Sequence, residues 1–318
     1  WHVGDRVVIS PAYVDHEEPA THADAMMGVE QKAWGFETNF GGLAHYTVVR
    51  ASQLLPKPPH LTWEEAASVL LCASTSYRML VSDRGARMKQ GDVVLIWGAT
   101  GGLGANAVQM VLAGGGVPVG VVSSDEKAEA LRGLGCEVVI NRVEIGMGSN
   151  SAATGGAIEA GKRLGRIIRK EVGEDPHIVF DYVGKATFGT SVFVVRKGGV
   201  VVTCGSSSGY HHEFDNRYLW MNLKRIIGSH GANLQEQWEC NRLVHLGKLM
   251  PVLSSVFPMD AAGEATRLVQ QNQHIGKVGV LCMAPATGLG VTAPELRDRV
   301  GEQRLNLLRQ KDKLLTVR

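Results

Sequence analysis

A glycine-rich segment carries the clearest chemistry in this sequence because of the residues on either side of it. The apolar run Val93–Trp97 leads into Gly98-Ala99-Thr100-Gly101-Gly102-Leu103-Gly104, and a helical pattern covers Ala105–Leu112. Glycines let the backbone approach a pyrophosphate closely, and the amino end of a helix supplies unpaired N–H groups and a positive dipole end. A strand, a glycine turn and a helix in this order predict a dinucleotide site. The predicted cofactor contacts in this turn are Gly98, Ala99, Gly101, Gly102, Leu103 and Gly104.

The residues after the next apolar run indicate which dinucleotide is bound. An NADH site usually has an acidic residue about 20 residues after the glycines, at the end of the second strand, to hold the ribose 2′-hydroxyl. Here that place holds Ser123, Ser124 and Lys127, and Arg142 follows the third apolar run. Hydroxyl groups and two cations suit a 2′-phosphate, so the sequence favours NADPH. Asp125 keeps NADH open, and the alternative role for Lys127 is that of a solvated helix residue.

A parallel sheet is needed to position these residues, and the apolar runs predict one. From Asp92 onward, apolar runs alternate with amphipathic stretches, as they do in a sheet covered by helices. Six strands complete a doubly wound unit, and an inserted loop near 144–161 precedes a helix over 162–172. The predicted strands are Val93–Trp97, Val117–Val122, Val138–Ile140, Ile178–Tyr182, Gly199–Cys204 and Ile226–Gly228.

The end of the fifth predicted strand adds two candidates for cofactor contacts. Cys204 ends this strand and Gly205 follows it. Ligands of open α/β sheets bind outside the carboxyl ends of the strands, which is where these residues fall. The alternative for Cys204 is a small buried hydrophobic residue, the commoner role of an isolated cysteine.

The regions flanking this unit predict a second, mainly β domain formed by two separate segments. Before it, strand-like stretches are followed by a capping box, in which Thr62 and Glu65 start a helix that extends to about Val81. After it, helix and strand patterns alternate and lead into a polar tail with helical propensity. We expect a catalytic-domain segment over 1–85, a dinucleotide-binding domain over 86–230 and a return segment over 231–318 that completes the first domain.

Composition agrees with a two-domain globular protein and excludes several classes of partner. At 318 residues, with 44% hydrophobic and 20% charged residues, the chain exceeds the usual size of one core and matches globular averages. A net charge of +2 predicts neither a nucleic-acid nor a membrane partner, and no apolar run of about 18 residues occurs. The five cysteines lack the paired spacing of a zinc site, so we expect no metal, reduced thiols and a cytoplasmic location.

The order of the parts resembles the medium-chain dehydrogenase/reductase superfamily, in which a GroES-like catalytic domain precedes and follows a Rossmann domain. Within that superfamily the chain looks most similar to the crotonyl-CoA carboxylase/reductases. Four segments carry this resemblance. They are Trp34-Gly35-Phe36-Glu37-Thr38-Asn39-Phe40-Gly41, Asn216-Arg217-Tyr218-Leu219-Trp220-Met221, Lys224-Arg225-Ile226-Ile227-Gly228-Ser229-His230 and Gly276-Lys277-Val278-Gly279-Val280-Leu281-Cys282.

This resemblance implies a reaction and a set of catalytic residues. Members of the family transfer hydride from NADPH to the β-carbon of an enoyl-CoA, and the resulting enolate attacks CO2 to give an alkylmalonyl-CoA, such as ethylmalonyl-CoA, without metal or biotin. Phe36, Glu37 and His230 match the family's CO2 pocket. Phe36 would exclude water, His230 would donate a hydrogen bond to CO2, and Glu37 would orient His230. The alternatives are a core phenylalanine, a solvated or paired acid and a histidine at a strand end whose hydrogen bonds are satisfied.

The same resemblance implies the substrate contacts and the assembly. Arg217 and Tyr218 match the family's contact with the adenine nucleotide of CoA, and Lys224 and Arg225 lie further along the same predicted helix. A homo-oligomer, dimer or tetramer, is implied. The resemblance further implies that family residues precede Trp1, including strands of the catalytic domain and an asparagine of the pocket.

Two other functions stay open at this point. One is reduction without carboxylation, as in the enoyl-thioester and quinone reductases of the superfamily. The other is a truncated nucleotide-binding module without catalytic activity. The preferred acyl length cannot be predicted, since a methylene group in an apolar pocket changes discrimination by only about 1 to 3 kcal/mol.

Overall fold

The structure is a computed structural model that describes residues 1–147 and 154–310. The chain divides into two compact units. One unit is Thr75–His230, and the other combines Trp1–Ser74 with the segment that begins at Gly231. The first boundary therefore falls at Ser74, within a helix, and not at residue 85 as predicted from the sequence. In the described residues, no helix is both long and apolar enough to cross a bilayer.

The N-terminal segment consists mostly of turns and four short strands. Strand β1 pairs antiparallel with β4, and β2 pairs antiparallel with β3. The side chains of Val8 on β1 and Leu55 on β4 are buried. The strands are β1 (Val7–Ile9), β2 (Ala12–Tyr13), β3 (Lys32–Ala33) and β4 (Leu54–Pro56).

The capping box is present, but the helix that it starts is interrupted. Thr62 Oγ1 accepts a hydrogen bond from the Glu65 N–H at 3.3 Å, and the Glu65 carboxylate accepts one from the Thr62 N–H at 2.8 Å. Instead of one helix to about Val81, the chain forms α1 (Trp63–Ala67) and α2 (Leu70–Leu80). At the break, the Ser68 hydroxyl donates to the Glu65 carbonyl at 2.7 Å, so the side chain competes with the helical backbone pattern.

The second unit contains the predicted six-stranded parallel sheet. Its strand order is β10-β9-β8-β5-β6-β7, and every neighbouring pair is parallel. The order reverses between β5 and β8, which is where doubly wound sheets bind ligands. The prediction of a Rossmann-type doubly wound sheet is confirmed, with strand ends shifted by one or two residues. The strands are β5 (Val93–Ile96), β6 (Val117–Val122), β7 (Val138–Asn141), β8 (Ile178–Phe180), β9 (Val200–Thr203) and β10 (Arg225–Gly228).

Among the described residues, five helices lie entirely within this unit, and one of them corrects the predicted inserted loop. Residues 154–161 are helical rather than looped, while 148–153 lie outside the described residues. Buried residues recur at helical spacing, with Ala157 and Ala160 continued by Leu164 and Ile168, so the small residues form a packed face. The helices are α3 (Gly102–Ala113), α4 (Asp125–Gly133), α5 (Thr154–Val172), α6 (Phe188–Val194) and α7 (Arg217–Trp220).

The return segment packs on the N-terminal segment within their shared unit. Asn241 Nδ2 donates to the Pro56 carbonyl oxygen at 2.9 Å, and Arg297 donates to both carboxylate oxygens of Glu65. The predicted helix of the tail is interrupted at Gly301, where φ is +94°, and residues 311–318 lie outside the described part. The elements are α8 (Leu234–His245), β11 (Leu253–Pro258), α9 (Ala262–Gln270), β12 (Lys277–Leu281), α10 (Pro294–Val300) and α11 (Glu302–Leu305).

Candidate functional site

The glycine turn lies between β5 and α3, at the point where the strand order reverses. Helix α3 begins at Gly102 with Gly101 as its N-cap, and no side chain caps it. The Ala105 N–H donates to the Gly101 carbonyl at 2.9 Å, which is the first helical hydrogen bond. The N–H groups of the first turn have no acceptor within the helix, and they lie at its positive end. This end of α3 therefore suits a pyrophosphate.

Two glycines of the turn are required by the backbone itself. Gly98 has a φ of +58°, in the left-handed region that favours glycine. A side chain at Gly104 would overlap the Gly98 carbonyl oxygen and lie 2.7 Å from the Ala99 Cα. Close packing of α3 on the end of β5 therefore excludes any larger residue at position 104.

Lys127 and Arg142 form a pair of cations beyond the ends of β6 and β7. Burial and the positive charge of Arg142 both lower the pKa of Lys127, with burial as the larger cause. Arg142 is held by a hydrogen bond from Nη1 to the Met147 carbonyl at 2.9 Å. Two cations that repel each other at a sheet edge favour an anion between them. The positive charge of Arg142 thus acts on Lys127, and the binding of a 2′-phosphate by these two residues stays a prediction.

The neighbouring polar residues have structural roles in this arrangement. The Ser124 hydroxyl caps α4 by accepting the Lys127 N–H at 3.3 Å. The Asp125 carboxylate accepts a hydrogen bond from Asn141 Nδ2 at 3.0 Å. Ser123 precedes them at the end of β6 and is partly exposed. The acid that kept NADH open is therefore held by a neighbouring side chain.

Cys204 and Gly205 begin a loop that follows β9 and is tied to the loop after β8. The Ser207 N–H donates to the Tyr182 carbonyl at 3.3 Å, and the Ser208 hydroxyl donates to the Val183 carbonyl at 2.6 Å. Cys204 is partly buried and Gly205 is exposed. Both therefore lie beyond the carboxyl end of the sheet, and their contact with a cofactor stays a prediction.

Asp181 and Tyr182, at the end of β8, were missed by the sequence analysis. Asp181 is fully buried, and its carboxylate accepts hydrogen bonds from the Thr187 and Ser191 hydroxyls and from the backbone N–H of Gly184. Burial raises the pKa of Asp181. The sequence feature that could have identified them is a pair of polar residues directly after the apolar run Ile178–Phe180.

The predicted CoA contacts lie at the start of α7. The Arg217 guanidinium is largely exposed and pairs with the Asp215 carboxylate at 2.6 Å. Tyr218 packs edge-on against Phe193, with 4.7 Å between the ring centroids, and adjoins the core of its unit. These contacts leave the Arg217 side chain accessible and hold Tyr218 in place.

The placement of Lys224 and Arg225 on the same helix is wrong. Helix α7 ends at Trp220, and Arg225 begins β10. Lys224 Nζ donates to the carbonyls of Val192 and Phe193, both at 2.8 Å, at the carboxyl end of α6. Burial lowers the pKa of Lys224 to about 8. This lysine caps a helix, so it is not available for a phosphate.

Phe36 and Glu37 follow β3 in one compact unit, while His230 ends the other. The Phe36 side chain is 88% exposed. The Glu37 carboxylate accepts a hydrogen bond from the Ala33 N–H at 2.7 Å, which closes the turn. His230 is exposed after β10. A pocket formed by these three residues stays a prediction.

Comparisons with known proteins agree with this architecture. Residues 102–246 match the zinc-binding dehydrogenase family. Crotonyl-CoA reductase of Streptomyces collinus is 54% identical over 298 residues, which are 93% of this chain and 67% of that protein. Crotonyl-CoA carboxylase/reductase of Cereibacter sphaeroides is 39% identical, over 93% of this chain and 71% of its own length.

A solved structure is similar over nearly the whole chain. It is that of the 2-octenoyl-CoA carboxylase reductase CinF from a Streptomyces species, in complex with NADP and 2-octenoyl-CoA. The two chains are 62% identical with a TM-score of 0.94, and the match covers 96% of this chain and 69% of CinF. This chain thus spans roughly two thirds of the length of its relatives.

The sheet, its glycine turn and these relatives define the class as the medium-chain dehydrogenase/reductases. Within that class, the chain belongs to the crotonyl-CoA carboxylase/reductase family, and the family predicted from the four sequence segments is confirmed. The matched family is described as zinc-binding. Residues 1–147 and 154–310 hold no group of three or more His, Cys, Asp or Glu side chains that could bind a metal ion, so these residues do not fit a zinc site.

Proposed function

We propose that this chain is an NADPH-dependent enoyl-CoA carboxylase/reductase that acts in the cytoplasm as a homo-oligomer, a dimer or a tetramer. One observation carries the proposal. The Lys127–Arg142 pair and the glycine turn lie at neighbouring strand ends of one sheet, in a chain that is 62% identical to an enzyme solved with NADP and an enoyl-CoA. All five cysteines are free thiols, which fits a reducing compartment.

The residues of the second unit hold the cofactor. The N–H groups at the start of α3 bind the pyrophosphate, and Lys127 and Arg142 bind the 2′-phosphate with help from the Ser123 and Ser124 hydroxyls. When bound, NADPH supplies a hydride for the β-carbon of the enoyl thioester.

The other electron pair of the reaction comes from the carbon–carbon double bond of the substrate. As the β-carbon gains hydride, the electron pair of the alkene moves to the α-carbon and is shared with the thioester carbonyl. The α-carbon then forms a bond to the carbon of CO2, and the product is an alkylmalonyl-CoA. We assign Phe36 to excluding water, the competing proton source, and His230 to donating a hydrogen bond to a CO2 oxygen, with Glu37 orienting His230.

Arg217 and Tyr218 are assigned to the adenine nucleotide of CoA. The exposed Arg217 guanidinium offers charge to a phosphate, and the Tyr218 ring next to it offers a surface for the base. The ion pair with Asp215 keeps the guanidinium in one orientation before the substrate arrives.

Product analysis tests the reaction directly. The full-length enzyme is incubated with crotonyl-CoA, NADPH and 13C-labelled bicarbonate. The acyl-CoA products are then separated, and their masses are measured by mass spectrometry. We expect ethylmalonyl-CoA with one 13C atom in its new carboxylate. Butyryl-CoA as the sole product at saturating bicarbonate would refute the carboxylation and leave reduction as the activity.

Reduction alone is the second candidate because the relative from Streptomyces collinus is named as a reductase. In that reaction the α-carbon takes a proton from water instead of forming a bond to CO2. Both reactions consume one NADPH for each enoyl-CoA, so cofactor oxidation cannot separate them. The ratio of ethylmalonyl-CoA to butyryl-CoA, measured at low and at high bicarbonate, separates them.

A further inference from the structure

One side chain connects the loop after β8 to the glycine turn. The Tyr182 hydroxyl donates a hydrogen bond to the Gly98 carbonyl oxygen over 2.7 Å. Strand β8 lies directly beside β5 in the sheet, so the loops that follow these two strands meet where the strand order reverses. The hydroxyl therefore contacts the backbone that, under the proposed function, binds the cofactor pyrophosphate.

Neighbouring groups hold Tyr182 in this position. Its ring packs edge-on against Phe180, with 6.1 Å between the ring centroids. The buried Asp181 carboxylate accepts the N–H groups of Val183 and Gly184 at 3.0 Å each, which fixes the backbone on either side of the tyrosine. The Ser207 N–H donates to the Tyr182 carbonyl at 3.3 Å. The hydroxyl is thus presented to the turn by a rigid support.

The hydroxyl occupies the space that a side chain at residue 101 would need. Gly101 has φ −72° and ψ 172°, an extended conformation that any residue adopts. A methyl group at this position would overlap the Tyr182 hydroxyl oxygen. The next nearest atoms would be the Gly98 carbonyl oxygen at 3.3 Å and Tyr182 Cζ at 3.6 Å. The tyrosine, and not the backbone, excludes a side chain at position 101.

Gly104 differs in this respect, although it belongs to the same turn. A methyl group there would overlap the Gly98 carbonyl oxygen and lie 2.7 Å from the Ala99 Cα and 2.9 Å from the Ala99 carbonyl carbon. These are backbone atoms, which no change of a nearby side chain removes. Gly104 is therefore a matched control for Gly101.

We infer that Tyr182 is a positioning residue of the dinucleotide site, which fixes the Gly98 carbonyl and makes glycine obligatory at position 101. In such a turn, the glycine at the position of Gly101 is usually explained by the close approach of the pyrophosphate. In this chain the requirement exists before any nucleotide binds. The inference rests on the proposed function only in that the turn is taken to bind NADPH.

A double-mutant cycle separates the two reasons for glycine at position 101, which are the approach of the pyrophosphate and the presence of the Tyr182 hydroxyl. The full-length protein is prepared as wild type, Gly101→Ala, Tyr182→Phe and the double variant, and each is measured for its melting temperature without nucleotide and for NADPH affinity by nicotinamide fluorescence. We expect Gly101→Ala to melt several degrees lower and to bind NADPH about 10- to 100-fold more weakly. Tyr182→Phe alone should weaken NADPH about 2- to 10-fold, as the loss of one neutral hydrogen bond predicts.

The double variant decides the inference. Its melting temperature should be close to that of Tyr182→Phe, and its affinity for NADPH should be within about 3-fold of that variant's. The reason is that removing the hydroxyl makes room for the methyl group. If Gly101→Ala is insoluble, a soluble double variant supports the inference and an insoluble one overturns it. Gly104→Ala should be equally damaging with Tyr182 or Phe at position 182.

Two other results would overturn the inference. One is that Gly101→Ala melts like the wild type without nucleotide and loses NADPH equally in both backgrounds, since the pyrophosphate alone would then require glycine. The other is that Tyr182→Phe lowers kcat as much as it raises the KM for NADPH, since a residue that positions the cofactor turn acts mainly on KM. A wild-type protein that binds no NADPH would instead refute the proposed function, while the melting temperatures would still test the steric role.

Discussion

Lys127 and Arg142 are the two cations that we assign to the 2′-phosphate of NADPH. Burial and the positive charge of Arg142 both lower the pKa of Lys127, so the pair is unfavourable when no ligand is present. A 2′-phosphate would turn this repulsion into two charge-assisted contacts. The ammonium of Lys127 is therefore expected to distinguish NADPH from NADH.

Lys127→Ala should raise the KM for NADPH about 10- to 100-fold and change the KM for NADH far less. The reason is that a hydrogen bond to a charged group contributes about 1.5 to 3 kcal/mol. Steady-state kinetics with both cofactors measures the effect, and Lys197→Ala, at an exposed lysine of the same unit, is the control. Equal changes for the two cofactors would show that Lys127 does not contact the 2′-phosphate.

Arg217→Ala should weaken crotonyl-CoA far more than a crotonyl thioester of pantetheine. The pantetheine thioester lacks the adenine nucleotide, so it loses nothing when the guanidinium is removed. We expect a rise in KM of about 10-fold for the CoA thioester, as for one charge-assisted contact at an exposed position. Asp215→Ala, which removes the partner of Arg217 but keeps its charge, should have a smaller effect. The same loss for both thioesters would argue against the assignment.

At the scale of the element, helix α6 is closed by a residue from another part of the chain. Lys224 Nζ donates to the Val192 and Phe193 carbonyls, which are among the last acceptors of this helix. A cation at the carboxyl end of a helix also interacts favourably with its dipole. Lys224 therefore contributes to the stability of α6 and, through it, to the packing of α6 on α5.

Lys224→Met keeps the aliphatic part of the side chain and removes both hydrogen bonds. The free energy of unfolding should fall by about 1 to 2 kcal/mol, since part of the gain from these bonds is offset by burial of the charge. Urea denaturation followed by far-UV circular dichroism measures it, with Lys197→Met as the exposed control. An unfolding free energy within about 0.3 kcal/mol of the wild type would rule out the cap.

The elements show which parts of the fold were predictable from the sequence. The six strands and the start of α3 depend on local apolar runs and glycines, so their existence and order were predicted. The loop near 144–161 was partly wrong because its alanines and glycines were interpreted as a turn, while Ala157 and Ala160 lie on the buried face of α5 with Leu164 and Ile168. The single helix after Thr62 was wrong because the Ser68 hydroxyl interrupts it.

The candidate site was predictable to the extent that strand ends define it. Lys127 and Arg142 were both proposed as contacts of the 2′-phosphate because they follow the second and third predicted strands and are cations. Tyr182 was not found, because its contact with Gly98 depends on β8 lying next to β5, which is a long-range feature of the sheet. The capping role of Lys224 was missed for the same reason, since its partners are about thirty residues away in the chain.

At the scale of the whole molecule, one buried histidine makes stability depend on pH. His60 is fully buried, and neither ring nitrogen has a hydrogen-bond partner among the described residues. Burial, the neighbouring His245 and the positive charges of Arg297 and Lys57 lower its pKa to about 4, and the nearby Glu65 opposes this in part. The unfolded chain, with an ordinary histidine pKa near 6.5, takes up this proton more readily.

The free energy of unfolding should therefore fall as the pH is lowered from about 6.5 to about 4, by at most about 3 kcal/mol from this residue. Above pH 6.5 both states hold a neutral ring, so the contribution is constant there. His60→Leu should flatten the dependence, because an apolar side chain takes up no proton. Urea denaturation between pH 4 and 7 measures it, with the exposed His45→Leu as the control. A slope unchanged by His60→Leu would contradict this account.

The central claim is that NADPH bound at the glycine turn reduces an enoyl-CoA at its β-carbon, and isotope tracing tests it most directly. The full-length enzyme is given crotonyl-CoA, bicarbonate and NADPH that carries deuterium in turn at each of the two C4 positions. The acyl-CoA product is then analysed by mass spectrometry and NMR. We predict that one of the two labels yields a product with a single deuterium on the β-carbon. Absence of deuterium from the acyl chain with both labels would contradict the claim.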